Sequence, residues 1–347
     1  MSSIDVVYTC DYKFLEYLAV SIDSMMSSMS DDGLSRLVVH VIQIDFSVEQ
    51  KMWLQALMDR RNKNAKLIFY DYKIKNKFAK CKYKAVEIVT LVYYLPNFLQ
   101  DVDRVIFVDA DTLFLADISE LWQLELEGHW IATTPGVLSD ESLLGYAFTS
   151  RGRYWSAEQT INAGIMLIDL RQMRVIDATS RLEAWTEKYQ ERLKLPEQEA
   201  IAFNYPIRKL IEHKWNWRGA LKYAEMHWSA KSQIELIAYD KIEPSMVHLQ
   251  NPCRPLNTII NSKYFHMWIE RYHAIGLKLP KRELLDFSMF VFLMAEDKSA
   301  FQNRRRITFT ILNLPFWFKC VFLYRKYSKD PENFEFPTIE PRSRVFI

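Results

Sequence analysis

Apolar residues recur along this chain in two alternating rhythms. Ile4-Asp5-Val6-Val7-Tyr8-Thr9 reads as a strand, and from Phe14 to Met29 the residues Leu15, Leu18, Ile22, Met25, Met26 and Met29 return at helical spacing. Leu37 to Ile44 reads as a second strand, Val48 to Arg60 as a helix opened by Ser47 as N-cap, and Lys66 to Tyr70 as a third strand. A helix is predicted over Ala85 to Leu95, and a buried strand over Arg104 to Val108. Strands alternating with helices predict an α/β fold: a mostly parallel sheet covered on both faces, with ligands beyond the carboxyl ends of the strands.

Asp109-Ala110-Asp111-Thr112 follows that last strand directly, and Asp11 closes the first. An extended backbone points residues two apart to the same side, so Asp109 and Asp111 can aim two carboxylates at one point, provided strand geometry persists through Ala110. Two such carboxylates make a seat for a hard divalent cation, Mn²⁺ or Mg²⁺, which would hold a nucleotide diphosphate. The first strand-to-helix turn, Thr9-Cys10-Asp11-Tyr12-Lys13, has no glycine. A dinucleotide fingerprint and a P-loop both need glycines there to bring backbone amides onto phosphate, so neither reading is supported.

Farther on, Thr160-Ile161-Asn162-Ala163-Gly164 reads as a small polar turn before the apolar strand Ile165 to Leu170. Leu195-Pro196-Glu197-Gln198-Glu199 opens a helix whose first-turn carboxylates the helix dipole alone would explain. His248 stands at the end of the strand-like Met246-Val247-His248, with Arg254 six residues later.

The chain's 347 residues fit about two domains, or one α/β domain with a tail. Apolar residues make up 49%, enough for a sizeable core. Cys10, Cys81, Cys253 and Cys320 are far apart and contain no Cys-x-x-Cys pair, so neither a zinc site nor a disulfide framework is expected. With Asp5 and Asp11 where a signal peptide would be basic and then apolar, a cytoplasmic location is expected. The net charge of +2 hides an uneven distribution: Lys298 to Lys329 carries eight lysines and arginines, no acidic residue, and Phe301, Phe309, Phe316, Trp317, Phe318, Phe322 and Tyr324. This stretch is too interrupted to span a bilayer, which takes about 20 apolar residues. It suits an anionic membrane surface, with a helix packed on the body as the structural alternative. No nucleic-acid module accompanies it, so no nucleic-acid partner is expected.

In order along the chain, Asp11, Asp109-Ala110-Asp111, Asn162-Ala163-Gly164, Gln198 and His248 with Arg254-Pro255 resemble the family 8 retaining glycosyltransferases. Within the family they look most like bacterial lipopolysaccharide α-galactosyl- and α-glucosyltransferases. The resemblance covers roughly residues 4 to 256 and implies a GT-A fold using a UDP-sugar and Mn²⁺. It implies that Asp109, Asp111 and His248 ligate the metal, that Thr9, Cys10 and Asp11 lie against uracil and ribose, and that Asn162 and Ala163 meet the donor sugar. Ala110, Asn251 and Arg254 would lie along the diphosphate. Glu197 and Gln198 would face the sugar, Gln198 steadying an oxocarbenium-like centre while the acceptor attacks from the leaving-group side; Glu197 or Glu199 as nucleophile stays open.

The chain departs from the family pattern at Val92, where an arginine is common, at Glu197 for aspartate, at Asn251 for glycine and at Leu256 for tryptophan. The expected organisation is a GT-A domain over residues 1–279 and a basic, aromatic helical region over 280–347. The expected activity is transfer of a galactose or glucose from a UDP-sugar to a lipopolysaccharide or other lipid-linked saccharide, at the cytoplasmic face of the inner membrane. A glycogenin-like self-glucosylating enzyme and a nucleotide-sugar-binding protein without turnover are the alternatives. Leu138 to Arg153 would supply a lid.

Overall fold

The computed structural model describes residues 3–135, 161–193, 195–218, 242–250, 254–260, 262–284 and 314–334. Leu138 to Arg153, Asn251 and, in the C-terminal region, residues 285–313 and 335–347 lie outside them. Nine strands are described: β1 (Ile4–Asp11), β2 (Leu37–Ile44), β3 (Lys66–Asp71), β4 (Arg104–Val108), β5 (Thr112–Phe114), β6 (Ile131–Pro135), β7 (Ile161–Asp169), β8 (Lys209–Leu210) and β9 (Met246–His248). Seven form one sheet in the order β3-β2-β1-β4-β7-β6-β8, while β5 and β9 form a separate pair. The β3, β2, β1 and β4 strands run parallel. β7 reverses against both β4 and β6, and β8 is parallel to β6. The fold is therefore α/β with a mostly parallel sheet.

Alternation along the strands divides the core between the two faces. Ile4, Val6, Tyr8 and Cys10 of β1 face one apolar cluster with the helix Leu15–Ser28, whereas Val7 faces the other with Leu91, Val92 and Tyr93. The helix Val48–Arg61 opens as predicted, and its N-terminus is a reciprocal capping box. Ser47 Oγ accepts from Gln50 N–H at 3.2 Å, and Gln50 Oε1 accepts from Ser47 N–H at 2.8 Å.

The helix predicted over Ala85 to Leu95 is broken into an α turn Val86–Val89, a 3₁₀ stretch Thr90–Tyr94 and a second α turn Leu95–Phe98. Val86, Ile88, Val89, Thr90 and Val92 are β-branched and resist regular helix, the Thr90 hydroxyl donates to Val86 O at 2.6 Å, and Pro96 starts the last turn.

At the other end of the chain, the helix Leu314–Lys329 buries Cys320 and Tyr327 against the body, and the Tyr327 hydroxyl donates to Ile259 O at 2.8 Å. Its outer face leaves Phe322 58% exposed, with Lys326 stacked over that ring at 4.6 Å.

Candidate active site

Asp109 continues the β4–β7 pairing by one bond, its N–H donating to Gly164 O at 3.0 Å. The chain then bends at Ala110 and Asp111 before entering β5, so the carboxylates do not converge by strand alternation as the sequence suggested. They converge because the turn carries Asp111 to β9, where Thr112 pairs with His248 and Leu249 N–H donates to Asp111 O at 2.8 Å. Thr112 Oγ1 donates to Asp109 O at 3.0 Å and lies 2.7 Å from Ser21 Oγ, tying the turn to the helix Leu15–Ser28.

His248 Nε2 lies 3.6 Å from Asp109 Oδ2 and 3.3 Å from Asp111 Oδ1. One ligand atom from each of Asp109, Asp111 and His248 lies within 4.8 Å of the others, the grouping expected from sequence. Two carboxylate oxygens and an imidazole nitrogen suit a divalent ion such as Mn²⁺, so the donor set fits a metal.

The charges around the cluster are unequal. Burial alone would push the Asp111 carboxyl up, but the Arg254 guanidinium and His248 beside it hold it well below the usual carboxylate range. Asp109 keeps 37% of its side chain exposed, yet its surroundings are deep enough that desolvation, opposed by His248 and reinforced by Asp111, pushes it up to about 6. A cation between the pair would relieve that repulsion.

Arg254 Nε donates to Asp111 Oδ2 at 2.7 Å, and its guanidinium sits over the Phe14 ring at 4.6 Å. The residue expected along the diphosphate is therefore clamped to a candidate metal ligand here, with a cation–π contact from a residue sequence reasoning did not assign.

Glu197 is 5% exposed and starts the helix Pro196–Asn204. Its Oε1 accepts from Gln198 Nε2 at 2.9 Å, while Oε2 is buried without a partner among the described residues. Burial, with Asp109 and Glu199 adding repulsion, pushes Glu197 up to about 7. Glu199 Oε1 instead accepts from Leu195 N–H at 2.9 Å, which makes it a helix cap. Tyr83 was not anticipated. Its phenol, raised to about 12 first by burial, feels Glu197, Asp109, Arg254 and Asp111.

Asn162, Ala163 and Gly164 lie within β7 rather than in a turn before it. Asn162 is 7% exposed, and its Oδ1 accepts from Gly164 N–H at 3.0 Å and from Asn216 Nδ2 at 2.7 Å. Ala163 and Val92 are buried in the apolar cluster on that face, and Ala110 is buried in the opposite one.

At the end of β1, Asp11 accepts from Lys13 and Phe14 N–H, capping a 3₁₀ turn. Cys10 is buried with its Sγ donating to Asp11 O at 3.1 Å, and Thr9 is 8% exposed. Asn216, 1% exposed in the 3₁₀ turn His213–Asn216, was missed, because nothing in its sequence surroundings marks it.

A mostly parallel sheet with an acidic pair and a histidine beyond its central strand, and no glycine-rich phosphate loop, defines the GT-A class of nucleotide-sugar transferase fold. The sequence profile described as Glycosyl transferase family 8 matches residues 5–255, and the chain belongs to that family. The galactosyltransferase LgtC, solved with donor and acceptor sugar analogs, superimposes with a TM-score of 0.65 at 18% identity, covering 80% of this chain and 98% of LgtC. GlyE of Streptococcus pneumoniae TIGR4 gives 0.58 at 17% identity over 79% of this chain and 62% of GlyE.

By sequence, a Haemophilus influenzae protein described as putative glycosyltransferase is 21% identical over 57% of this chain, which spans 58% of that protein's length. An Arabidopsis thaliana protein described as probable galacturonosyltransferase-like 9 is 25% identical over 72% of each chain.

Proposed function

We propose that this protein is a retaining glycosyltransferase that moves a galactose or glucose from a UDP-sugar, with Mn²⁺ or Mg²⁺, to a saccharide of lipopolysaccharide or another lipid-linked glycan. The observation that carries the reading is the convergence of Asp109, Asp111 and His248 within 4.8 Å in a chain of this family. These three would hold the cation, whose positive charge would stabilise the departing diphosphate.

The chain's own residues account for the rest. Arg254, held on Asp111 and the Phe14 ring, brings a second positive charge to the cleft. Asp11 rigidifies the turn that would meet uracil and ribose, with Thr9 and Cys10 behind it. The Gln198 amide, fixed by its bond to Glu197, would face the anomeric carbon as a neutral dipole, stabilising positive charge there without forming a covalent bond. The acceptor hydroxyl would attack from the leaving-group side and pass its proton to a phosphate oxygen of UDP.

The outer face of the helix Leu314–Lys329, with exposed Phe322, Arg325 and Lys326, supports attachment to an anionic membrane surface, where a lipid-linked acceptor would be displayed. Among the described residues no helix is long and apolar enough to cross a membrane.

The test is UDP release from a panel of UDP-sugars, with and without Mn²⁺, for the wild-type chain and Asp111→Asn. Metal-dependent release from UDP-galactose or UDP-glucose, abolished by the substitution, is expected. Tight UDP binding without release from any sugar, with acceptor saccharides supplied, would replace the transferase by a binding protein. Release that ignores the metal or the substitution would overturn the site.

A further inference from the structure

Behind the candidate metal ligands lies a buried chain of hydrogen bonds whose direction is fixed at one end by a backbone amide. Gly164 N–H can only donate, and it donates to Asn162 Oδ1 at 3.0 Å. The Asn216 atom 2.7 Å from that same oxygen must then be the amide nitrogen, which also donates to Thr134 Oγ1 at 2.8 Å. The other atom of the Asn216 carboxamide is consequently an oxygen, an acceptor only, and it lies 3.0 Å from His248 Nδ1. A ring nitrogen facing a buried acceptor at that distance must carry a hydrogen. Nδ1 is therefore protonated, and Nε2 is the nitrogen turned toward Asp109 and Asp111.

We infer that Asn216 is a positioning residue for the metal centre. Through a relay from the Gly164 amide by way of Asn162, it fixes the His248 tautomer and ring orientation, so that the Nε2 lone pair is the one offered to a divalent cation. Burial makes the relay strict, since Asn216 and His248 are 1% and 4% exposed and water cannot substitute for either partner. Ligating histidines generally depend on such a partner on the second ring nitrogen, and its loss typically weakens metal binding about 10- to 100-fold.

Gly164 contributes twice, because a Cβ there would stand 2.6 Å from His248 Cε1 and 2.9 Å from Asn216 Oδ1, space the ring and the amide occupy. The relay also saturates Asn162 Oδ1 with two donors, so a ligand that meets Asn162 meets its Nδ2 edge.

The inference rests on the metal reading above, and its test separates the two. Mn²⁺ binding, followed by the electron paramagnetic resonance of the free ion with UDP present, is measured for the wild-type chain, Asn216→Asp and Asn216→Leu. The expected result is about 10- to 100-fold weaker binding for Asn216→Leu, which keeps the volume and loses the acceptor. Asn216→Asp keeps an acceptor oxygen facing Nδ1 but sets its second oxygen against Asn162 Oδ1 in place of a donor, so its binding is expected to fall between wild type and Asn216→Leu.

Wild-type affinity in Asn216→Leu would overturn the role of Asn216 while leaving the metal site standing. Absence of Mn²⁺ binding in the wild-type chain would overturn the metal reading itself. Should Asn216→Leu fail to fold, ¹⁵N-histidine spectra of the wild-type protein with Zn²⁺ as a diamagnetic probe decide the matter. A proton on Nδ1 with Nε2 shifted by the metal supports the relay, and the opposite pattern overturns it.

Discussion

Replacing Gly164 by alanine should damage the protein through one ring. The added Cβ would lie 2.6 Å from His248 Cε1 and closer still to Nδ1, where carbon atoms normally settle at about 3.5–4.0 Å. The ring must retreat by about 1 Å, and it cannot do so without stretching its 3.0 Å bond to Asn216 Oδ1. Overpacking of this kind costs about 1–3 kcal/mol, and the orphaned buried acceptor on Asn216 about 1–3 kcal/mol more. Out of a total stability of about 5–15 kcal/mol, a loss of about 2–6 kcal/mol is large.

Urea unfolding in the absence of metal reads it as a lowered midpoint at an unchanged slope. The decisive comparison is a double-mutant cycle with His248→Ala. With the ring gone the two shortest contacts vanish and Asn216, released from His248, can yield at the remaining 2.9 Å contact, so Gly164→Ala should cost less in that background and the coupling should reach about 2 kcal/mol or more. A cost within about 0.5 kcal/mol in the wild-type chain, or one undiminished by His248→Ala, would refute the reasoning.

Two further outcomes follow from side chains with unusual surroundings. Glu197, at about 7 in the folded chain against an ordinary 4.5, favours folding in its protonated form; its contribution is complete below pH 4.5 and lost as pH rises to 7. That loss is on the order of 3 kcal/mol, so Glu197→Gln should gain on wild type across this window and stay level above it, and parallel stability profiles for the two proteins would count against a buried, raised carboxyl. Phe322→Ser combined with Lys326→Glu should weaken binding to anionic vesicles by at least about fivefold while leaving the urea midpoint unchanged, and undiminished sedimentation with vesicles would remove the helix Leu314–Lys329 from the membrane reading.

What could be read from the sequence was whatever its own neighbours determine. β2 runs from Leu37 to Ile44 as its β-branched pattern requires, and Ser47 caps the helix Val48–Arg61 because Gln50 stands three residues on. Asp109, Asp111 and His248 were legible as a set through family resemblance. Their convergence by a bend at Ala110 was not, since it depends on β5 pairing with β9. Asn162 and Gly164 looked like a turn because small polar residues usually are one. In the fold both are strand residues, and Gly164 is kept small by the His248 ring and Asn216 amide that cross over it. Asn216 could not be found at all, because its partners Thr134, Asn162 and His248 are scattered along the chain and only burial makes its amide matter.

The pairing of β5 with β9 also sets a schedule for synthesis. β1 to β4 leave the ribosome early and can form their parallel ladder while the rest is being made, since domains are built from the N-terminal side. The acidic turn must then wait for its partners, because the arginine that clamps Asp111 is 143 residues further along. Until that segment emerges, Asp109 and Asp111 lack the strand that brings them together, the histidine that completes their cluster and the arginine that balances their charge, so the site can assemble only once β9 and Arg254 have been made.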